Sequence, residues 1–144
     1  MASGSKISYS QYTMYANCPL QWKLNYIDKL GTYSQSIHTI FGSAFHETLQ
    51  SYLTIMYEDS AVAADKENWH EILRKMMAKE YRKACAMGED PKFTNAAEMG
   101  EFWEHGCLIL DYVLRHRGAY FQKKNHELIG VEIPLAVKMD VNKN

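Results

Sequence analysis

The sequence predicts a mainly α-helical chain with one β-strand near its C-terminus, as in the opening part of an α/β domain. Apolar residues recur at the i, i+3, i+4 spacing of helices up to residue 121, and then alternate strictly with other residues from Ile129 to Met139. The 144 residues, 47% hydrophobic and 23% charged, are typical of one globular domain. A single strand cannot satisfy its own backbone groups, so we expect residues 1–144 to be the N-terminal portion of a truncated domain whose remaining sheet is missing from this chain.

The first two helices are predicted from a cap and a proline. Ser8 and Gln11 have the spacing of a capping box, which predicts a helix from Tyr9 through residue 17. Pro19 ends or kinks this helix and favours a second one that starts at the proline itself.

Two amphipathic helices follow. From Ile37 to Tyr57 the apolar positions are 37, 40, 41, 44, 45, 49, 52, 53 and 56, which is the clearest helical pattern in the chain. The next helix, over about residues 66–87, is predicted to use Asp65 as its cap. Its inward residues are predicted to be Trp69, Ile72, Leu73, Met76, Met77 and Tyr81.

The longest helix is predicted to begin near Asn95. Gly106 marks a position where another backbone can approach closely, and the helix is expected to break near Gly118. The strand that follows contains Pro134, which cannot donate a ladder hydrogen bond and therefore predicts an edge position or a bulge.

Charge and composition restrict the classes of function. The formal net charge of −1 excludes indiscriminate nucleic-acid binding by the whole molecule, so any such binding must be local. The chain shows no apolar run of membrane-helix length and no secretory signal, which predicts a cytoplasmic protein that does not associate with membranes. Cys18, Cys85 and Cys107 lack CxxC spacing, which argues against a disulfide framework and a self-contained zinc site.

His46 is the first candidate for chemistry. It lies at the border of the apolar stripe of the third helix, one turn after Gly42, where the missing side chain leaves room beside the imidazole. A histidine in such a place is more often a hydrogen-bonded structural residue than a metal ligand, so the spacing by itself favours the structural interpretation.

An ordered set of short motifs favours the metal-ligand interpretation of His46 over the structural one. They are Ile7, Ser8 and Ser10; Cys18, Pro19 and Trp22; Gly42 and His46; and Glu132 in the predicted strand. In this order, over nearly the whole chain, the sequence resembles the opening of PD-(D/E)XK nucleases of the RecB/AddB-type exonuclease family. The resemblance implies a restriction-endonuclease-like α/β fold.

The resemblance also implies a function and a site. The function is a metal-dependent DNA nuclease, an exonuclease acting in DNA recombination, repair or phage DNA processing, with DNA as substrate and a helicase or recombination protein as partner. His46 would be a ligand of a catalytic Mg or Mn ion, and Glu132 would either point into the catalytic cleft or face water. The family's other acids and its lysine follow this strand, where Asp140 fits a turn better than a ligand position. We therefore expect these 144 residues alone to be inactive.

Two questions remain open, one about the cysteines and one about the whole chain. Cys18 matches the cysteine that, in iron-sulfur members of the superfamily, binds a [4Fe-4S] cluster with three later cysteines, although all three cysteines here also suit small buried side chains. The whole chain could instead be a non-catalytic helical module that binds DNA or a protein.

Basic residues offer two candidate DNA contacts. The basic helix near residue 79 is diluted by acids and better fits a solvated face. The acid-free stretch that suits phosphate contact with base stacking contains Arg115, Arg117, Lys123 and Lys124.

Overall fold

The computed structural model describes residues 7–31, 35–87, 93–121 and 127–133. The chain divides into two compact units, residues 1–34 and residues 35–144. Helices dominate both units, as the periodicity predicts. None of the helices within the described ranges combines the length and the apolar character that crossing a membrane requires.

In its described residues, the first unit consists of short helical segments that follow one another along the chain. Helix α1 spans Tyr9–Asn17, and Ser8 caps it by accepting a hydrogen bond from the Gln11 amide at 3.2 Å, which confirms the predicted start. Helix α2 spans Pro19–Trp22 and continues into a π-helical turn at Lys23–Ile27. The Asn25 side-chain amide donates to the Gln21 carbonyl at 2.8 Å and so competes for an acceptor that a regular α-helix would use, which accounts for the wider turn.

The described residues of the second unit form four α-helices, each preceded by a side-chain cap. Helix α3 spans Ile37–Glu58, α4 spans Ala61–Lys66, α5 spans Trp69–Ala86 and α6 spans Ala96–Tyr120. Helix α3 packs against the other three, and α5 also packs against α6. The capping residues, in order, are Ser36, Ser60, Asn68 and Asn95.

The core of this unit lies along one face of α3. Its buried residues there recur mostly every four positions, and Tyr52 is almost fully enclosed, with its ring edge-to-face with Trp69 of α5 at 5.3 Å. Thr48 is also fully buried. Its hydroxyl donates to the Ala44 carbonyl at 2.8 Å, so this buried polar group has a hydrogen-bond partner. The buried residues of α3 are Ile37, Ile40, Ala44, Thr48, Tyr52 and Met56.

Gly106 is a site of close approach, but side chains rather than a backbone approach it. A Cβ built on Gly106 would lie 2.6 Å from Leu73 Cδ2 and 2.9 Å from Phe41 Cε2. The glycine therefore lets α6 pack closely against α3 and α5.

One predicted helix start is wrong. Asp65 lies inside α4 and caps nothing, because Asn68 accepts a hydrogen bond from the Glu71 amide at 3.1 Å and starts α5 instead. The end of α6 at Tyr120 agrees with the break predicted near Gly118, although the helix passes through the glycine itself. Glycine weakens a helix by only about 1 kcal/mol, and the packing of a long helix outweighs that cost.

The predicted C-terminal strand is not observed where the structure describes it. Residues 127–133 contain neither helix nor strand, and Glu132 has φ of 54°, a left-handed conformation that an extended strand does not contain. Ile129 is 85% exposed, so the alternation does not mark a buried face. The prediction is wrong for Ile129–Ile133, because alternation is a local signal whereas a strand needs a paired neighbour. The remainder, including Pro134, lies outside the described residues.

The close contacts at Gly106 lead to a stability prediction. Gly106→Ala should lower the free energy of unfolding by about 1 kcal/mol, because the new methyl group overpacks against Leu73 and Phe41 by more than the helix gains from alanine. Gly100→Ala in the same helix meets nothing within 4 Å and should stabilise by roughly 0.5–1 kcal/mol. Urea unfolding of both variants measures the difference, and equal effects would contradict this account of the packing.

Candidate functional site

His46 lies on the face of α3 that points away from the core. It follows the buried Ala44 by two residues, which turns its side chain by about 200° around the helix, and its side chain is 59% exposed. The sequence predicted that His46 lies at the border of the apolar stripe, but in the structure it lies further towards the solvent-exposed side of α3. The next residue, Glu47, pairs through its carboxylate with Lys79 of α5 at 2.6 Å.

The segment of residues 127–133 runs beside this outer face of α3. A groove of roughly 390 Å³ separates residues 127–131 from Thr54, Tyr57 and Glu58 near the end of α3. Glu132 then reaches His46, two turns earlier on the helix, and its Oε1 lies 3.1 Å from His46 Nδ1. The segment thus runs antiparallel to α3 and brings together the two site residues that the sequence singled out.

The contacts of His46 favour one tautomer of a neutral imidazole. The carboxylate of Glu132 can only accept, and its Oε1 lies 3.1 Å from Nδ1, which favours the N–H at Nδ1. Nε2 then carries a lone pair. It lies 3.3 Å from the side-chain nitrogen of Gln50, one turn further along α3, which can donate to it. Glu132 thus lies on the side of the ring where carboxylates stand when they orient metal-bound histidines.

The arrangement fits part of a metal site. The exposed imidazole offers Nε2 with its lone pair, and Glu132, with a side chain 65% exposed, holds the opposite nitrogen. No cluster of three or more His, Cys, Asp or Glu side chains with metal-binding geometry occurs among residues 7–31, 35–87, 93–121 and 127–133. Asp140, the other acid considered from the sequence, lies outside these ranges.

Arg117 is held within the protein. Its guanidinium donates to Asp65 Oδ1 and, at 3.2 Å, to the hydroxyl of Tyr52, and its side chain is only 25% exposed. The hydrogen bond that Arg117 donates to Asp65 raises the pKa of Arg117, while burial raises the pKa of the Tyr52 hydroxyl. This contact ties α6 to α4 and α3, so Arg117 is not presented as a free phosphate contact.

The other predicted nucleic-acid contacts have different surroundings. Arg115 is exposed, and its Nε donates to the Asp111 carbonyl of its own helix at 3.0 Å. Lys123 and Lys124 lie outside the described residues. On α5, Arg74 forms two hydrogen bonds of 2.8 Å with Glu71, a pairing that supports the interpretation of that basic face as a solvated, ion-paired surface.

The three cysteines are free thiols in separate local environments. Cys18 caps α2, with its Sγ 3.5 Å from the Gln21 amide. Cys85 is half-buried in α5. Cys107 is buried in α6, and burial, with Asp111 and Glu104 nearby, raises the pKa of its thiol. The environment of Cys107 thus disfavours the thiolate that a metal or cluster requires.

Two contacts are absent from the sequence-based predictions, one within α3 and one between α5 and α6. Gln50 has a weak signal in the sequence, because it follows His46 by four residues and must share its helix face. His70 Nε2 pairs with Asp111 Oδ1 at 2.8 Å across α5 and α6, and both line a groove of roughly 530 Å³ with Asp65 and Arg117. No local pattern indicates that second pair.

Comparison with known proteins adds a family. A family model described as the PD-(D/E)XK nuclease superfamily matches residues 6–142. No match is found among curated proteins or among solved structures. The match is at the level of the superfamily and does not single out the RecB/AddB-type exonucleases that the motifs resemble.

The two arginines of α6 should differ in what they do for stability. Arg117→Ala should lower the free energy of unfolding by about 1 kcal/mol or more, because Asp65 and Tyr52 both lose a charged hydrogen-bond partner. Arg115→Ala should change it by less than about 0.5 kcal/mol. Chemical denaturation of the two variants makes the comparison, and a large loss in Arg115→Ala with none in Arg117→Ala would contradict the assignment.

The cysteines should react at different rates. With iodoacetamide at pH 8, Cys107 should be alkylated more slowly than Cys18. The thiolate is the nucleophile, and Cys107 is buried in a place that raises the pKa of its thiol. Mass spectrometry of peptides after timed quenching measures both rates. The same reaction in denaturant is the control, where the difference should vanish; equal rates in the folded protein would refute the prediction.

Proposed function

The chain belongs to the PD-(D/E)XK nuclease superfamily, and from this membership we propose that it is the N-terminal portion of a metal-dependent deoxyribonuclease that hydrolyses phosphodiester bonds. The observation that carries the proposal is the contact of 3.1 Å between His46 Nδ1 and Glu132 Oε1. It joins two residues of the resemblance in a geometry suited to an oriented metal ligand.

In the proposed site, His46 binds a Mg or Mn ion through Nε2. Glu132, whose Oε1 lies 3.1 Å from Nδ1, accepts a hydrogen bond from the N–H at that position and so leaves the lone pair of Nε2 for the ion. The bound ion would neutralise charge on the scissile phosphate and lower the pKa of an attacking water. The remaining acids and the lysine of the family pattern would come from residues after Glu132, which include Asp140.

The finer role is proposed from the resemblance. The ordered motifs match exonucleases of the RecB/AddB type, so we propose that the enzyme degrades DNA from an end, in recombination, repair or phage DNA processing. An iron-sulfur cluster at Cys18 would need cysteines other than Cys85 and Cys107, and we do not include it.

A second candidate is a helical module that binds DNA or protein without cleaving it. It is favoured by one observation, namely that within the described residues no third acidic, histidine or cysteine side chain joins His46 and Glu132. The two candidates differ in whether DNA is turned over, so one assay separates them.

The test uses the protein expressed from its complete natural reading frame, with end-labelled linear duplex DNA and Mg²⁺ or Mn²⁺. We expect metal-dependent cleavage, abolished by EDTA, and a rate lowered roughly 100-fold or more in His46→Ala, because the ion contributes several kcal/mol of transition-state stabilisation. His105→Ala removes an exposed histidine of α6 and should leave the rate unchanged.

One result would count against the role of His46, and another against the nuclease itself. Cleavage that survives His46→Ala at the wild-type rate would remove His46 from the site. DNA binding with no cleavage under any divalent ion would favour the non-catalytic module.

A further inference from the structure

We infer that Gln50 is a further ligand of the divalent ion, through its side-chain carbonyl oxygen, next to Nε2 of His46. The inference rests on the proposed function, since it extends the metal site proposed there. No motif of the family resemblance includes Gln50; its place in the structure suggests the role.

The side-chain amide of Gln50 lies close to Nε2 of His46. Gln50 lies one turn after His46 on α3, and its side-chain nitrogen is 3.3 Å from His46 Nε2. Two neighbouring ligands of an octahedral ion, each bound at about 2.1 Å, are about 3.0 Å apart. The amide end of Gln50 is thus already near the position of such a neighbour.

The side-chain amide of Gln50 can present either its nitrogen or its oxygen to Nε2 of His46. Without a metal, Nε2 has a lone pair and faces a group that can donate to it, which is the NH₂ of Gln50. Rotating the amide by about 180° exchanges its nitrogen and oxygen with almost no change in shape. The oxygen then takes the nitrogen's place, and both it and Nε2 can face one cation without movement of α3.

The carbonyl oxygen of Gln50 is a type of ligand that Mg²⁺ and Mn²⁺ prefer. Amide carbonyl oxygens are hard ligands that suit Mg²⁺ and Mn²⁺, whereas a lone imidazole is a poor anchor for either ion. The oxygen of Gln50 would supply a hard donor on the same rigid helix. Because the two residues share one helix, their separation is set by the backbone and not by a loop.

The test measures Mn²⁺ affinity at pH 8, from the loss of the free-ion electron paramagnetic resonance signal, with the full-length protein. Gln50→Met keeps the length of the side chain but removes the carbonyl, and should weaken binding roughly tenfold. Gln50→Glu supplies a charged oxygen and should tighten binding several-fold. Gln21→Met, on the exposed surface of α2, is the matched control and should bind as the wild type does.

The sign of the Gln50→Glu effect separates a ligand from a residue that only orients the ring. A glutamate cannot donate to Nε2, so if Gln50 is merely a donor, both variants should weaken binding, which would overturn the inference. Wild-type affinity in Gln50→Met, together with a large loss in His46→Ala, would overturn it and leave the proposed function standing. A wild-type protein that binds no Mn²⁺ would overturn both.

Discussion

The burial of one face of α3 is the constraint on which the second unit depends. Tyr52 and its buried neighbours on α3 pack against α4, α5 and α6, and each large side chain removed from water contributes about 1.5–3 kcal/mol. This burial fixes the rotation of the helix about its axis. The opposite face is fixed at the same time, and that face carries His46 and Gln50. The candidate site is therefore held in place by a core that it does not itself join.

Charged and polar side chains hold the ends of the helices around this core. Arg117 joins Asp65 and Tyr52, and the hydroxyl of Tyr57 donates to the carbonyl of Phe121 at the end of α6. These contacts cross from α3 and α4 to α6, and they use groups that would otherwise be available to phosphates. The same arginine cannot serve fully as a packing residue and as a mobile DNA contact, because its charge is already compensated.

In the proposed site, His46 and Glu132 lie in close contact, but the described residues supply fewer ligands than a catalytic ion needs. Glu132 adopts a left-handed backbone conformation, which costs of order 1 kcal/mol or more in a residue other than glycine, and its carboxylate meets the imidazole of His46. Backbone strain of this kind is often found at functional sites. Within the described residues, His46, Gln50 and Glu132 supply the polar atoms of this site, and a nuclease needs further acids to hold its ion.

The sequence by itself determined α1, α2, α3, α5 and α6, the order of the motifs and most of the core, but neither the short helix α4 nor the π-helical turn. Caps such as Ser8 and Asn95 are local, because a side-chain oxygen reaches an amide three residues away, and apolar spacing follows directly from helical geometry. Only the tertiary structure decided that Glu132 meets His46 and that Arg117 turns inwards, since these contacts depend on how distant segments pack. The predicted strand failed for the same reason: alternation is local, whereas a strand exists only with a partner.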